Sequence, residues 1–210
     1  MSGWNDDGKC RCAWLGQWAG AQDPLYRDYH DNEWGVPERD PVRLFELLTL
    51  EGAQAGLAWI TVLRKRQAYR EAFDGFDITR IARYDATDTA RLLANSGIVR
   101  NRLKIASTID NARAWKALED KIGDVPAWLW SFVDGTPQQH TWQSVADIPT
   151  TSQESDTLSR ALKKAGFRFV GSTICQSFLQ AAGMFNDHTT ECFRHREITD
   201  ATQGAKGVLF

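Results

Sequence analysis

The chain has 210 residues, within the size range of one domain, and its hydrophobic content of 42% is enough for a buried core. Its formal net charge is −2, which excludes an overall basic field, so any contact with nucleic acid must use a local patch. We expect neither a secretory signal nor a membrane span, because no stretch has the required basic and apolar pattern. In that context the four cysteines predict cytosolic thiols or metal ligands, not a disulfide framework.

The chain predicts an all-α fold of about nine helices, because no alternating strand longer than a few residues is present. Residues 1–9 predict a loose extension, and residues 16–22 predict a loop. Asp40-Pro41 predicts a helix start, since aspartate is a favoured N-cap and proline is tolerated in the first turn. Further helices are predicted over residues 59–73, 78–84, 87–95 and 100–118, from Pro126, after a capping box at 151–154, and after Gly171.

One carboxylate, Glu51, falls on the core-facing side of the helix that Asp40 begins. It lies seven residues after Leu44 and four before Ala55, and these spacings share one helical face. A buried carboxylate is costly unless it has a partner or a cavity. One interpretation is a structural glutamate that caps backbone N–H groups. The other is a pocket, favoured by aromatic residues on both sides, which would suit a planar ligand such as a nucleobase.

Two cysteines and two histidines near opposite ends of the chain have the residue types of a closed zinc site. The candidates are Cys12, His30, His188 and Cys192. Their spacing is not that of a standard zinc finger, so Cys10 remains an alternative to Cys12, and His195 to His188.

Gly166 and Gly171 bound a short turn between two predicted helices, and Lys163, Lys164 and Arg168 surround it. Such a turn can present backbone N–H groups to an anion. The alternative is an ordinary connection with solvated charges. A second basic cluster, Arg100, Arg102 and Lys104, is predicted to be a solvated face.

The chain resembles the DNA-3-methyladenine glycosylase I family from about Cys12 to Cys192. The resemblance rests on runs that include Asp23-Pro24-Leu25-Tyr26, residues 29–38, Leu50-Glu51-Gly52, Trp130-Ser131-Phe132-Val133 and Asn186-Asp187-His188. It implies the helix-hairpin-helix glycosylase fold, with residues 166–171 as the hairpin that grips DNA. It also implies one structural Zn²⁺ on Cys12, His30, His188 and Cys192, joining the two terminal segments.

The resemblance further implies a monofunctional enzyme that flips 3-methyladenine out of alkylated double-stranded DNA and hydrolyses its N-glycosidic bond. Glu51 would be the catalytic residue. The remaining base-pocket residues would be Tyr26, Tyr29, Trp34, Trp59 and Trp14. The DNA contacts would be Lys163, Lys164, Gly166, Arg168 and Gly171. The products are an abasic site and free 3-methyladenine, and we expect a monomer in the bacterial cytosol, associated with the nucleoid.

Two departures qualify this expectation. Ala58 stands where the family often has serine, so a minor hydrogen bond is missing. Residues 171–183 contain no Asp or Glu to support a sugar cation, and Asp187 is expected to act beside the metal ligand His188 or in capping. A non-catalytic reader of alkylated bases is therefore an alternative, and a zinc hydrolase is another. The predicted division is an extension at 1–9, one domain at 10–195 and a tail at 196–210.

Overall fold

The structure is a computed structural model that describes residues 7–16 and 23–206, without the side chains of residues 205 and 206. Most of the loop predicted at 16–22 and both chain ends lie outside these ranges. The α-helices are α1 (Pro24–Asn32), α2 (Pro41–Gln54), α3 (Trp59–Leu63), α4 (Arg66–Ala72), α5 (Ile78–Ala82), α6 (Ala86–Ala94), α7 (Arg102–Ile122), α8 (Val125–Trp130), α9 (Gln153–Lys164), α10 (Ser172–Ala181) and α11 (Phe193–Lys206).

The remaining regular elements are short. Four 3₁₀ turns cover Ala13–Gly16, Asp74–Phe76, Ser131–Val133 and Val145–Asp147. Two strands, β1 (Gln138–Gln139) and β2 (Phe185–Asn186), form a parallel pair. The prediction of a helical protein is therefore confirmed in its coarse form. The helix count was too low, because the described residues contain eleven α-helices. No helix among them is long and apolar enough to cross a membrane.

The chain forms two compact units. The first contains the described parts of residues 1–38, 136–150 and 179–210, and the second contains residues 39–135 and 151–178. The predicted division into one domain with two loose ends stays a prediction. Within the first unit, Asp7 forms ion pairs with Arg11 and Arg27, and residues 193–206 are helical, including much of the segment predicted as a tail.

Helix α2 begins as predicted. The Asp40 side chain accepts a hydrogen bond from the Arg43 N–H at 2.9 Å, and Pro41 occupies the first turn. Residues 44–53 are all buried, so the helix lies in the interior of the second unit rather than along its surface. The core-facing position predicted for Glu51 is confirmed.

Several predicted boundaries are wrong, and α7, for example, ends at Ile122 rather than at residue 118. The helix expected over 59–73 is two helices, α3 and α4, which are separated at Arg64 and Lys65. Lys65 donates hydrogen bonds to the carbonyls of Ser96 and Gly97. The N-cap of α9 is Ser152, not Thr151. Ser152 and Ser155 exchange side-chain hydrogen bonds with each other's backbone N–H, which forms the capping box one residue later than expected.

Candidate functional site

The predicted metal ligands meet in the first unit. Cys12, His30, His188 and Cys192 are buried, and their ligand atoms all lie within 4.8 Å of one another. Nδ1 of His188 is 3.4 Å from the sulfur of Cys12 and 3.4 Å from that of Cys192, and Nε2 of His30 is 3.6 Å from the latter. A tetrahedral zinc with ordinary bond lengths separates its sulfur and nitrogen ligands by about 3.6 Å. The four side chains therefore fit a closed metal site.

Hydrogen bonds orient both imidazoles for coordination. Nδ1 of His30 donates to Asp31 at 2.7 Å, and Nε2 of His188 donates to the Trp34 carbonyl at 3.0 Å. Each ring thereby turns its other nitrogen, with its lone pair, towards the cysteine sulfurs. Metal-binding histidines commonly have such a partner on the second nitrogen.

Asp31 is a functional residue that the sequence analysis missed. It is held by the buried guanidinium of Arg11, whose Nη2 lies 2.8 Å from the carboxylate, and Arg11 also pairs with Asp7. The hydrogen bonds from Arg11 and His30 outweigh burial, so the pKa of Asp31 is lowered and the carboxylate is ionised near neutral pH. The adjacency of His30 and Asp31 was the available signal, but a sequence does not show which way a neighbouring side chain turns.

The alternative ligands lie elsewhere. Nε2 of His195 donates to the His140 carbonyl at 2.7 Å, and neither His195 nor Cys10 joins the cluster. Between the two cysteines themselves, a side-chain hydrogen bond lowers the pKa of Cys192 and raises that of Cys12. The backbone N–H of Thr189 donates to the sulfur of Cys12 at 3.4 Å, which offsets only part of the rise in the pKa of Cys12.

Aromatic side chains predicted for the base pocket pack directly on these ligands. The centroid of the Trp14 ring lies 5.2 Å from that of Tyr26, 5.1 Å from that of Trp34 and 5.2 Å from that of His30. Trp34 in turn lies 4.6 Å from the ring of His188. Tyr29, on the same helix as Tyr26, is also buried. The structure thus brings Trp14, Tyr26 and Trp34 into ring contact with one another. This aromatic group packs against the histidines of the candidate metal site.

Asp187 does not have the role predicted for it. Its buried carboxylate accepts hydrogen bonds from His140, Trp142 and Gln180 at 2.5–2.7 Å. These bonds fix the segment before His188 in place. The carboxylate that hydrogen-bonds to a candidate metal ligand is Asp31, as described above.

Glu51, in the second unit, is only 4% exposed. Along residues 7–16 and 23–206 we find no hydrogen bond or ion pair to its carboxylate, and burial alone raises its pKa to about 8. The structural alternative, a glutamate that caps backbone N–H groups, therefore has no support in the described chain. A carboxylate shielded from water and left without a donor is suited to a ligand that brings its own donors or positive charge.

The end of α2 is held from outside the helix. The Lys104 ammonium donates to the carbonyls of Ala53 and Ala55, each at 2.7 Å. A cation there complements the partial negative charge of a helix C-terminus. The prediction that Lys104 belongs to a solvated face was wrong. From this anchored end the chain runs through Gly56, which has a φ of +79°, to the intermediate-exposure Trp59 at the start of α3.

The turn between α9 and α10 is fixed by two side chains. Asn111 accepts a hydrogen bond from the Arg168 N–H at 2.7 Å and donates to the Arg168 carbonyl at 3.0 Å. Ser159 donates to the Val170 carbonyl at 2.6 Å. Lys163 and Lys164 are exposed in the last turn of α9, whereas the Arg168 side chain pairs with Asp110 at 2.8 Å. Asn111, which the sequence analysis missed, is thus a main support of this turn.

Comparisons with known proteins agree with this geometry. A family model described as methyladenine glycosylase matches residues 18–195. DNA-3-methyladenine glycosylase 1 of Escherichia coli is 50% identical over 182 residues, which is 87% of this chain and 95% of the relative. A crystal structure of 3-methyladenine DNA glycosylase I is 55% identical, with a TM-score of 0.83 over 87% of this chain and 98% of its own. A tyrosine-to-phenylalanine variant of such an enzyme, solved with 3-methyladenine, is 37% identical, with a TM-score of 0.82 over 87% and 96% of the two chains.

The raised pKa of Glu51 predicts a pH-dependent stability. The folded-state pKa of about 8 lies above the ordinary 4.5, so the native state holds a proton that the unfolded state loses, and stability falls as pH rises through this window. Between pH 6 and pH 9, wild type should lose about 3 kcal/mol of unfolding free energy that Glu51→Gln does not lose.

Urea unfolding at both pH values measures this difference. Glu71→Gln, at an exposed position in the same unit, is the matched control and should follow wild type. Parallel pH profiles for wild type and Glu51→Gln would mean that Glu51 is already ionised in the folded protein at pH 6.

Proposed function

Because this chain belongs to the methyladenine glycosylase family, we propose that it is a monofunctional DNA-3-methyladenine glycosylase. It flips the alkylated base out of double-stranded DNA and hydrolyses the N-glycosidic bond, releasing 3-methyladenine and leaving an abasic site. The observation that carries the proposal is Glu51, a buried carboxylate with no partner among the described residues, whereas the other buried carboxylate of this helix, Glu46, is paired with Arg66. The substrate places the protein with DNA in the bacterial cytosol, where we expect it to act as a monomer.

Glu51 recognises the base through charge and hydrogen bonding. Methylation at N3 gives the adenine of DNA a formal positive charge, which an ordinary adenine lacks. A cation beside Glu51 favours the carboxylate form, so the pKa that burial raises falls again when the base is bound. The ionised carboxylate then accepts hydrogen bonds from the purine. A neutral adenine offers no such charge and leaves the desolvation of the carboxylate uncompensated.

Aromatic side chains supply the rest of the recognition. We assign Trp14, Tyr26, Tyr29, Trp34 and Trp59 to the base pocket. Their rings favour a cation by roughly 0.5–2 kcal/mol each when they stack on it, and Tyr29 can add a polar contact through its hydroxyl. The ring cluster on the buried histidines supports this assignment, because rings packed in contact hold a fixed surface for a planar ligand.

Cleavage of the N-glycosidic bond requires little stabilisation of the sugar cation by the protein. The N3-methylated base is a good leaving group, because it departs neutral once the glycosidic electrons move onto it. Helix α10 contains no acidic residue to stabilise the sugar cation. Binding, desolvation and the charge of Glu51 are therefore the means by which this chain lowers the barrier, and water is the nucleophile. The alternative, a non-catalytic reader of alkylated bases, uses the same contacts but leaves the bond intact.

We further propose that Cys12, His30, His188 and Cys192 hold one structural Zn²⁺. Four protein ligands fill a tetrahedron and leave no open position for a substrate, so the site joins the terminal segments and supplies no chemistry. The separations of 3.4–3.6 Å and the two oriented imidazoles support this role. They count against a zinc hydrolase.

DNA is held by the turn at residues 166–171, which we assign as the hairpin of a helix-hairpin-helix fold. Its flanking helices α9 and α10 and the exposed Lys163 and Lys164 support the assignment. We place phosphate contacts at these lysines, at Arg168 and at the backbone of Gly166 and Gly171. A local patch is what a chain of net charge −2 needs in order to bind a polyanion.

The first test concerns Glu51. Glu51→Gln keeps the shape of the side chain but replaces one acceptor by a donor and removes the charge. We expect base release from alkylated DNA to slow by roughly ten- to a hundredfold, the cost of losing a charged hydrogen bond of about 1.5–3 kcal/mol. Binding of free 3-methyladenine, which is neutral, should weaken through the lost acceptor oxygen, and Trp59→Ala should weaken base binding through reduced stacking.

Chromatography of released bases and titration with free base provide the two measurements, with Glu71→Gln as the control. No release by wild type, with retained base binding, would identify the non-catalytic reader. Undiminished release and undiminished binding of the free base by Glu51→Gln would assign Glu51 a structural role.

The zinc proposal predicts one metal ion per chain in protein purified without chelators. Cys192→Ala should lose the metal and lower the melting temperature, because it breaks a site that joins distant segments of the first unit. Cys10→Ala is the matched control, since Cys10 lies beside Cys12 but outside the cluster, and it should retain full occupancy. Elemental analysis of the three proteins is the measurement. A ratio near zero in wild type would exclude the site.

The hairpin proposal predicts a change in salt dependence. Lys163→Ala and Lys164→Ala should each weaken binding to any DNA and reduce the salt slope by about 0.9 for each phosphate that the variant no longer neutralises. Arg168→Ala should weaken binding as well, because it removes a positive charge from the hairpin and leaves Asp110 with only the longer ion pair to Arg113, at 3.8 Å, among the ion pairs described here. Lys121→Ala, at an exposed position on α7, is the control. Unchanged affinity and slope in all three variants would place the DNA-binding face elsewhere.

A further inference from the structure

The backbone of helix α2 touches the turn at residues 166–171 at Gly52, the residue next to Glu51. A methyl group added to Gly52 would lie 3.3 Å from Cβ of Phe169 and 3.4 Å from its carbonyl oxygen. The first separation is tighter than an ordinary side-chain contact, so a methyl group at position 52 would displace Phe169 by a few tenths of an ångström. The residue beside the base-recognising carboxylate is therefore in direct contact with the proposed DNA-binding hairpin.

Phe169 has a backbone conformation that is uncommon for its residue type. Its φ is +53°, in the left-handed region that ordinary side chains disfavour. Residues in such conformations persist only where the surroundings determine them, and they are concentrated at functional sites. Here hydrogen bonds to the residues on both sides of Phe169 supply this constraint. Arg168 on one side is bound through both backbone groups by Asn111, and Val170 on the other side is bound by Ser159.

Helix α2 is fixed at the same level. Lys104 binds the carbonyls of Ala53 and Ala55 just after Gly52, so the last turn of the helix is held both by the hairpin and by α7. A shift of the hairpin would therefore act directly on the last turn of α2. The contact is small, but side-chain hydrogen bonds to the backbone hold the segment on each side of it.

Building on the proposed function, we propose that the Gly52–Phe169 contact fixes the Glu51 carboxylate relative to the hairpin. Binding of the DNA backbone by the hairpin then sets where a flipped base meets Glu51. Gly52 is a positioning residue in this scheme, since it touches neither the base nor the DNA. A displacement of a few tenths of an ångström at this contact changes the alignment of base and carboxylate only when the base is still attached to DNA.

Gly52→Ala tests this scheme. We expect single-turnover release of 3-methyladenine from DNA to fall about tenfold, in line with the sensitivity of aligned groups to small displacements. Binding of the free base should change less than twofold, because a free base adjusts its own position. Affinity for undamaged DNA and the melting temperature should remain at wild-type values. Gly204→Ala, in α11 with open space around it, is the matched control.

The double variant Gly52→Ala/Phe169→Gly makes the test independent of any general effect of the alanine. Removing Cβ of Phe169 gives the new methyl group room, so Gly52→Ala should cost clearly less in the Phe169→Gly background than in wild type. Equal costs in the two backgrounds would overturn the inference. So would a loss of free-base binding as large as the loss of release rate, or a release rate of Gly52→Ala equal to that of wild type. If wild type itself released no base, the proposed function would fail instead.

Discussion

The desolvation of one carboxylate is the constraint on which the candidate site depends. Glu51 lies in a helix whose residues from 44 to 53 are all buried, and the raised pKa of about 8 reflects the cost of removing its charge from water. A protein of marginal stability does not retain such a group without a benefit elsewhere. In the proposed function a cationic base gives that benefit, because the same lack of water that destabilises the free carboxylate strengthens its attraction to the ligand. Under this proposal, selectivity for the charged base and the cost of burying Glu51 have one cause.

In the first unit, the main structural feature is a cluster of aromatic rings packed around two buried histidines. Trp14 and Trp34 pack on His30 and His188, and those imidazoles are oriented by Asp31 and by the Trp34 carbonyl. The rings are thus part of the same buried cluster as the candidate metal ligands. If the proposed zinc is bound there, its loss would release the imidazoles and with them the surfaces on which the tryptophans pack. A structural zinc site in this position would act on base binding without touching the base.

The sequence predicted those features that depend on residue type and local spacing. The cap at Asp40, the buried position of Glu51 and the residue types of the metal cluster are all of this kind. It failed where a long-range partner decides the outcome. The break between α3 and α4 falls in a run of basic residues. There Arg66 turns inward to the buried Glu46, and Lys65 donates to the Ser96 carbonyl. Helical periodicity in a sequence does not reveal such long-range interactions. The roles of Asp31, Lys104 and Asn111 were missed for the same reason, because each depends on the direction of a polar side chain.

Two violations of local preference lie side by side in the second unit. Glu51 is a buried carboxylate without a partner among the described residues, and Phe169 is a bulky residue in a left-handed conformation. Sequences normally avoid each of these, and where both occur the surrounding residues must hold them. They meet through Gly52, where an added methyl group would lie 3.3 Å from Cβ of Phe169 and would displace it slightly. The left-handed conformation of Phe169 and the desolvation of Glu51 are therefore best understood together, as two costs of fixing the proposed base-recognising group against the proposed DNA-binding turn.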